Sequence, residues 1–231
     1  TGFSGTHNLI VEGGSERSTI RVAFSQLNQT GVVKTTGFDR TNITVSGKAK
    51  VGEWLDLESS MQYAHTKNDK ALRGTDGPLY RAMIWPIIDN MADYLTPDGV
   101  FMRYPNLYTD EDLLNPLFAL YKNKNQDKSD RFLSNVAVTI KPVPNTFLRA
   151  QVGWDVGMQT FVSTIHPYYA ASNNGVGQYF ITNQNFSDPT INILGGYNNN
   201  FFGGKLTFAA QVGYHQLEDG ITRLTTNGQK F

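Results

Sequence analysis

The sequence predicts an all-β fold: a segment of about eight strands from an antiparallel transmembrane β-barrel. Three observations lead to this prediction. Apolar and polar residues alternate over long runs, the connections between runs are alternately short and long, and no apolar run approaches the ~20 residues of a spanning helix. An apolar outward band, a polar lumen, short turns at one end and long loops at the other are typical of outer-membrane barrels.

The longest alternating run is TFLRAQVGWDVGMQ, residues 146–159. Side chains point to opposite faces at successive positions of a strand, so this run has one apolar face and one polar face. It is about twice as long as the usual strand of ~5–6 residues. In this run and in 204–215, the polar residues predicted to face the lumen are Arg149, Gln151, Asp155, Gln159, Gln211 and His215.

Shorter alternating runs predict the other strands, near 6–13, 19–25, 42–50, 55–63, 131–140 and 190–198. Short connections fall at 14–17, 52–54, 142–145 and 199–203. Long connections fall at 29–39, about 67–128 and 161–188, and we expect no further strand after Glu218. Because short and long connections alternate, the short turns all lie at one end of the sheet and the long loops at the other.

The connection at 67–128 is too long for a simple linker. A short helix is predicted near 79–92 and a turn at TPDG, residues 96–99. Its aromatic side chains either pack the loop against itself or face a ligand, since aromatic rings stack on sugars and other flat molecules. The candidate ligand contacts are Tyr80, Trp85, Tyr94, Tyr104 and Tyr108.

Composition and motifs give no indication of an enzyme. Lys+Arg and Asp+Glu both number 20, so no strong basic field favours nucleic acid. The four histidines lack metal-ligand spacing, there is no cysteine, and no P-loop, G-x-G-x-x-G or G-x-S-x-G motif occurs. The acidic run at 109–112 suits calcium or, more simply, a solvated loop. We therefore predict no catalytic residue, metal or cofactor.

Asp56 and Glu58 lie on one polar face of their predicted strand. Paired carboxylates can perform acid–base chemistry. Salt bridges to Lys48 or Lys50 across the neighbouring strand are the simpler interpretation.

Several motifs, in order, resemble the SusC/RagA family of TonB-linked outer-membrane transporters. They include Gly13-Gly14, Ile20-Arg21, the NQTGV loop at 28–32, the DRTN strand start at 39–42 and the KAKVGEWLDLESSMQYAHT hairpin. Asn115-Pro116, Asp130-Arg131-Phe132, Phe147-Leu148-Arg149, Gly153 and the QVGYHQLED run at 211–219 continue the match. Each motif is loose, but their order is specific and covers essentially the whole chain.

The resemblance implies a barrel of twenty-two strands with an N-terminal plug that couples to TonB. It implies a location in the outer membrane of a Gram-negative, Bacteroidetes-like cell, in contact with its lipid. It also implies a SusD-like surface lipoprotein as partner and uptake of oligosaccharides or peptides. Residues 1–231 match the barrel alone, so we expect the plug and the TonB-contacting segment to be absent from this stretch.

Two alternatives remain open at this stage. One is a small closed barrel with a structural or adhesive role, whose lumen side chains would have to fill. The small inward residues Gly153, Gly157, Ala209 and Gly213 suit a wider lumen better. The other is a soluble carbohydrate-binding β-sandwich, which would bury Val152, Trp154, Val156 and Phe208 in a core.

Overall fold

The computed structural model describes residues 1–103, 113–169 and 176–229. These residues form one antiparallel sheet, so the predicted all-β class is confirmed. The strands are β1 Phe3–Gly14, β2 Ser18–Thr30, β3 Gly37–Val51, β4 Leu55–Asp69, β5 Lys124–Ile140, β6 Thr146–Ile165, β7 Gln178–Phe201, β8 Leu206–Leu217 and β9 Ile221–Gln229. Two short helices, α1 Pro78–Ile84 and α2 Pro116–Lys122, lie between β4 and β5.

None of the helices in the described ranges is long and apolar enough to cross a bilayer.

Each strand pairs with the next along the chain, from β1 to β8. Strand β9 continues β8 along the same edge of β7. Leu217 of β8 pairs with Thr190, and Ile221 of β9 pairs with Phe186, so the register does not change. The intervening residues stay bonded to β7 through Glu218 N–H to the Pro189 carbonyl, at 3.2 Å. The sheet is therefore eight strands wide, as predicted, but the expectation that no strand follows Glu218 is wrong.

Short turns and long loops sort to opposite ends of the sheet. The turns at 15–17, 52–54, 141–145 and 202–205 lie at one end, whereas the connections at 31–36, 70–123 and 166–177 lie at the other. Gly52 has a φ of 70° and Asn145 a φ of 67°. Glycine and asparagine tolerate this left-handed conformation best, which is why tight turns form at these points.

The strands extend further into the loop end than the alternation predicted. Strand β6 continues to Ile165 and β7 already begins at Gln178, so their connection is 166–177 rather than 161–188. The connection predicted at about 67–128 is likewise 70–123. The helix predicted near 79–92 ends at Ile84, because Pro86 cannot continue a helical hydrogen-bond pattern.

The apolar face of the sheet is exposed. Val152 and Trp154 are each 54% exposed, and Val212 is 77% exposed. A β-sandwich would bury these side chains against a second sheet, so this interpretation fails. Within the described residues β1 pairs only with β2, and β8 and β9 pair only with β7, so the interpretation as a small closed barrel is wrong as well.

The height of the apolar face matches a bilayer. On β6 it runs from Leu148 to Met158. At about 3.3 Å per residue that is about 33 Å along the strand. A tilt of roughly 40° reduces this length to about 25 Å, the height of the apolar band on membrane barrels.

Candidate functional site

The polar face of the sheet carries a broad trough of about 1150 Å³. Arg149, Gln151 and Asp155, three of the predicted lumen residues, lie on its wall. Cross-strand neighbours supply the other charged wall residues, which are Glu12, Arg21, Lys48, Glu58 and Asp188. Charges of both signs therefore line this surface.

Glu58 is the centre of a charged network in the trough. Arg149 Nη2 lies 2.8 Å from Glu58 Oε2, and Lys48 Nζ lies 3.6 Å from Glu58 Oε1. The sequence predicted Lys48 or Lys50 as the partner of this carboxylate. The neighbouring Asp56 pairs instead with Lys141 from the short turn, at 2.6 Å. Since Glu58 already has two cationic partners, a salt-bridge role describes it better than acid–base chemistry.

A second network surrounds Asp155. Arg131 Nε donates to Asp155 Oδ1 at 2.8 Å, and the Arg131 guanidinium lies 5.7 Å from the centre of the Phe186 ring. The Phe186 ring lies directly over Gly157, where a Cβ would come within 2.5 Å of the ring. Glycine at 157 therefore allows an aromatic side chain to lie flat along the polar face and to stack under Arg131.

The other predicted lumen residues lie on the same face but outside the trough. His215 Nδ1 forms a hydrogen bond with Asn192 Oδ1, and Gln159 lies opposite Gln184 on β7. Gln211 lies opposite Gly196. The assignment of this face to a lumen stays a prediction.

At the loop end, the 70–123 connection contributes most of a small hydrophobic core. It consists of Met102, Leu114, Phe118, Ala119 and Tyr169, and the Phe118 side chain is fully buried. Because Tyr169 belongs to the 166–177 connection, this loop core joins two separate loops. The Phe118 and Tyr169 rings stack with their centres 6.2 Å apart.

The start of α2 explains how Phe118 is positioned. Asn115 is the N-cap, and its side-chain oxygen accepts from the backbone N–H of Leu117 at 2.9 Å and of Phe118 at 3.3 Å. Pro116 follows at the first helical position, where its missing N–H costs nothing. The Asn115 amide also donates to the Met91 carbonyl at 3.1 Å, which ties the helix to the rest of the loop.

His166 connects the end of β6 to this loop core. Its backbone N–H donates to Asn123 Oδ1 at 2.8 Å, and its ring meets Phe118 edge-on at 5.2 Å. Burial lowers the pKa of the His166 imidazole, and the nearby Lys122 lowers it further. The neutral form is therefore favoured in the packed loops.

The candidate ligand aromatics have divergent environments. Trp85 is buried and its Nε1–H donates to the Asp89 carbonyl at 3.2 Å, while Tyr94 stacks on Tyr121 at 5.4 Å. These two side chains pack the loop against itself. Tyr80 is exposed and lines a groove of about 470 Å³ between the 31–36 and 70–123 connections. Tyr104, Tyr108 and the acidic run 109–112 lie outside the described residues.

Arg103 and Asp89 form an ion pair within the loop. The two side chains are only 19% and 8% exposed, and Arg103 also donates to the Asn90 carbonyl at 2.9 Å. The hydrogen bond to Asp89 raises the pKa of the Arg103 guanidinium above its usual range, although burial opposes this shift. The predicted turn at 96–99 lies just before it and is closed by Gly99 N–H to the Thr96 carbonyl at 2.8 Å.

We expect Arg103→Lys to loosen this part of the loop by about 1.5 kcal/mol, because a lysine keeps the charge but loses the two-pronged hydrogen bonding. Amide hydrogen exchange across residues 89–103 is the measurement. Arg73→Lys is the control, since Arg73 is an exposed residue of the same loop. Unchanged exchange in the Arg103 variant would show that charge alone holds the segment.

An exposed apolar surface follows Gly77 in the loop. Its members are Leu79, Met83, Ile87 and Ile88, and we call them the α1 patch. Met83 is 84% exposed and Ile87 is fully exposed. Exposed apolar clusters of this kind mark contact surfaces more often than isolated apolar residues do.

Sequence reasoning did not identify Phe118 or Arg103 as central loop residues. The Asn115-Pro116 pair was a usable signal for Phe118, since an N-cap followed by proline marks a helix start. No local signal pairs Arg103 with Asp89. Within the described residues, no cluster of three or more His, Cys, Asp or Glu side chains is arranged to hold a metal ion.

Comparison with known proteins places these features in context. No protein-family model matches the chain. The TonB-dependent receptor SusC of Bacteroides thetaiotaomicron is 24% identical over an alignment of 205 positions that covers 78% of this chain and 20% of that protein. The chain therefore spans about a fifth of the curated relative's length.

Solved structures share the fold. The structure of the RagAB peptide transporter matches with a TM-score of 0.80 at 14% identity, over 99% of this chain and 26% of that chain. The RagAB peptide importer in its open-open state matches with a TM-score of 0.80 at 16% identity, over 99% and 25% of the two chains. The chain therefore shares the fold of a segment of these two structures, and the resemblance to the SusC/RagA family is confirmed.

Proposed function

Because the chain resembles the SusC/RagA family and has its barrel fold, we propose that it forms part of the wall and outer loops of a TonB-dependent outer-membrane importer. The observation that carries this proposal is an exposed apolar band of bilayer height on one face of the sheet and a charged trough on the other. The role is energy-coupled uptake rather than catalysis. TonB would act through a plug-bearing part of the parent protein.

The substrate we propose is an oligosaccharide or a peptide. Paired charges of both signs in the trough favour a peptide, whose termini and side chains also carry both signs. The exposed Tyr80 groove favours an oligosaccharide, because an accessible aromatic ring can stack on a sugar. Uptake of labelled peptides and labelled glycans by cells that express the parent protein separates the two.

Removal of the loop tests the importer proposal. We expect replacement of residues 70–123 by a short glycine–serine turn to abolish uptake while the barrel still assembles, because β4 and β5 pair directly without the loop. Assembly is measured by the heat-induced shift of the outer-membrane band in gels, and uptake by accumulation of labelled substrate. Full uptake by the deletion variant would reduce the loop to a spacer.

The partner we propose is a SusD-like surface lipoprotein, and the α1 patch supports such a contact. Met83→Asp together with Ile87→Asp is expected to weaken co-purification of the lipoprotein at least tenfold, because each carboxylate would be buried without a counter-charge. Val32→Asp is the matched control, being 84% exposed in the neighbouring 31–36 connection. Equal co-purification by all variants would remove the α1 patch from the interface.

A further inference from the structure

His166 follows the last residue of β6, and both of its backbone polar groups are engaged. Its N–H donates to Asn123 Oδ1 at 2.8 Å, and its carbonyl accepts from Tyr169 N–H at 3.0 Å. Asn123 is the C-cap of α2, so the first of these bonds ties the end of β6 to the end of the helix. Together the two bonds fix the position of the His166 ring beside the loop core.

The hydrogen bond of the His166 ring shows which form of the imidazole the fold requires. His166 Nδ1 lies 3.3 Å from the backbone nitrogen of Tyr168 and accepts its N–H. A ring nitrogen that accepts a hydrogen bond carries no proton, so the imidazole is neutral, with its hydrogen on Nε2. A proton on Nδ1 would remove this acceptor and leave two N–H groups facing each other.

Aromatic side chains pack against the same ring. The Phe118 ring meets it edge-on with centres 5.2 Å apart, and the centre of the Tyr168 ring lies 5.6 Å away. Tyr169 stacks on the Phe118 ring, and the phenols of the two tyrosines are the titratable groups that the turn 166–169 itself contributes. His166 is only partly exposed among these rings, so an imidazolium here would lose part of its hydration.

The elements that adjoin His166 carry positive charge at their near ends. Lys122 lies in the last turn of α2, and Lys124 begins β5, the strand that pairs with β6. Asp127, the first carboxylate along β5, is already paired with Lys70. In the described parts of the chain no carboxylate forms an ion pair or a hydrogen bond with His166, so a positive charge on its ring would not be compensated.

We propose that His166 is a pH-sensitive switch: a proton taken up by its imidazole separates the turn 166–169 from Phe118 of α2. Protonation breaks the hydrogen bond to Tyr168 N–H, places a charge in a partly buried position and sets that charge beside Lys122. Histidine is the side chain whose ordinary titration falls in mild acid. The switch requires neither substrate nor partner, so it goes beyond the importer proposal, and its failure would leave that proposal untouched.

The direction of the pH effect follows from the pKa of His166. Burial lowers this pKa below the ordinary value of 6.5, and the charge of Lys122 lowers it further. The packed turn therefore binds fewer protons than the released turn, so the contact is favoured at neutral pH and is lost progressively as the pH falls below 6.5. Between pH 7.5 and pH 5.5 the released population should rise by up to roughly tenfold, the limit for one proton.

Hydrogen exchange of the complete parent transporter in detergent, followed by mass spectrometry over 116–123 and 166–169, measures this release. His166→Asn is the deciding variant, because an asparagine oxygen can accept the Tyr168 N–H but does not titrate. The ratio of wild-type to variant exchange rates at one pH cancels the intrinsic pH dependence of exchange. We expect this ratio to rise roughly five- to tenfold from pH 7.5 to pH 5.5. His7→Asn is the matched control, since His7 is exposed on β1 and its loss should leave the acid response unchanged.

An equal acid response in the wild-type protein and in His166→Asn overturns the switch. If His166→Asn exchanges rapidly at both pH values, Lys122→Gln decides, because loss of this cation makes a protonated His166 easier to keep in the packed turn. A smaller acid response in Lys122→Gln then supports the switch, and an unchanged response overturns it. The heat-shifted band in gels shows that the barrel of each variant has assembled.

Discussion

Phe118→Ala is expected to open the loop core while the strands of the sheet remain paired. Phe118, on α2, is fully buried against Tyr169 and His166, so its removal leaves a cavity between the two connections. Phenylalanine-to-alanine changes at buried positions cost about 3–5 kcal/mol. A loop core of a few residues has little stability to lose, so this cost is enough to separate the 70–123 and 166–177 connections.

Limited proteolysis of the assembled parent barrel measures this effect. The variant should be cut within 70–123 at least tenfold faster than the wild-type protein, while the heat-shifted barrel band persists. Leu79→Ala is the control, because Leu79 lies in the same loop but is 70% exposed. Equal cutting rates for the two variants would mean that the two connections are held together by other contacts, such as that between the Phe101 and Tyr168 rings, whose centres are 4.4 Å apart.

The sheet was predictable from sequence where one face meets an apolar environment. Strand β6 shows this over 146–159, where Val152, Trp154 and Val156 alternate with polar residues. Beyond that stretch the signal fades, because both faces of β7 are polar over 182–185. The alternation of apolar and polar residues marks only the part of a strand that lies in the apolar band. The observed strands therefore extend past the predicted ends. Strand β9 was missed for the same reason.

The loop site was predictable only in part. Asn115-Pro116 indicates the start of α2, and Pro86 explains why α1 ends early. The contact between Phe118 and Tyr169 joins residues that are distant in sequence, and no local pattern encodes it. The same holds for the trough. The sequence places Arg149 on the polar face, but its ion pair with Glu58 on β4 could be identified only once the order of the strands was known.

Val152→Lys should lower the free energy of unfolding more than Gln151→Lys, because the two side chains lie on opposite faces of β6. Val152 is near the middle of the apolar band, and a lysine at mid-bilayer costs about 2–4 kcal/mol. Gln151 points to the trough on the opposite face, where water and Glu58 are available, and we expect its substitution to cost under about 1 kcal/mol. The two residues are adjacent in sequence, so strand propensity and position differ little between them.

Urea titration of the parent barrel folded into phospholipid vesicles gives both free energies of unfolding. A larger loss for Val152→Lys than for Gln151→Lys would show that the apolar face meets lipid, as the exposure of Trp154 and Val212 indicates. Equal losses would mean that neither face contacts hydrocarbon. A reversed order would place lipid against Arg149 and Asp155, whose charges would then each need a partner in the bilayer. Their pairing across strands with Glu58 and Arg131 leaves them suited to a water-filled or protein-filled interior instead.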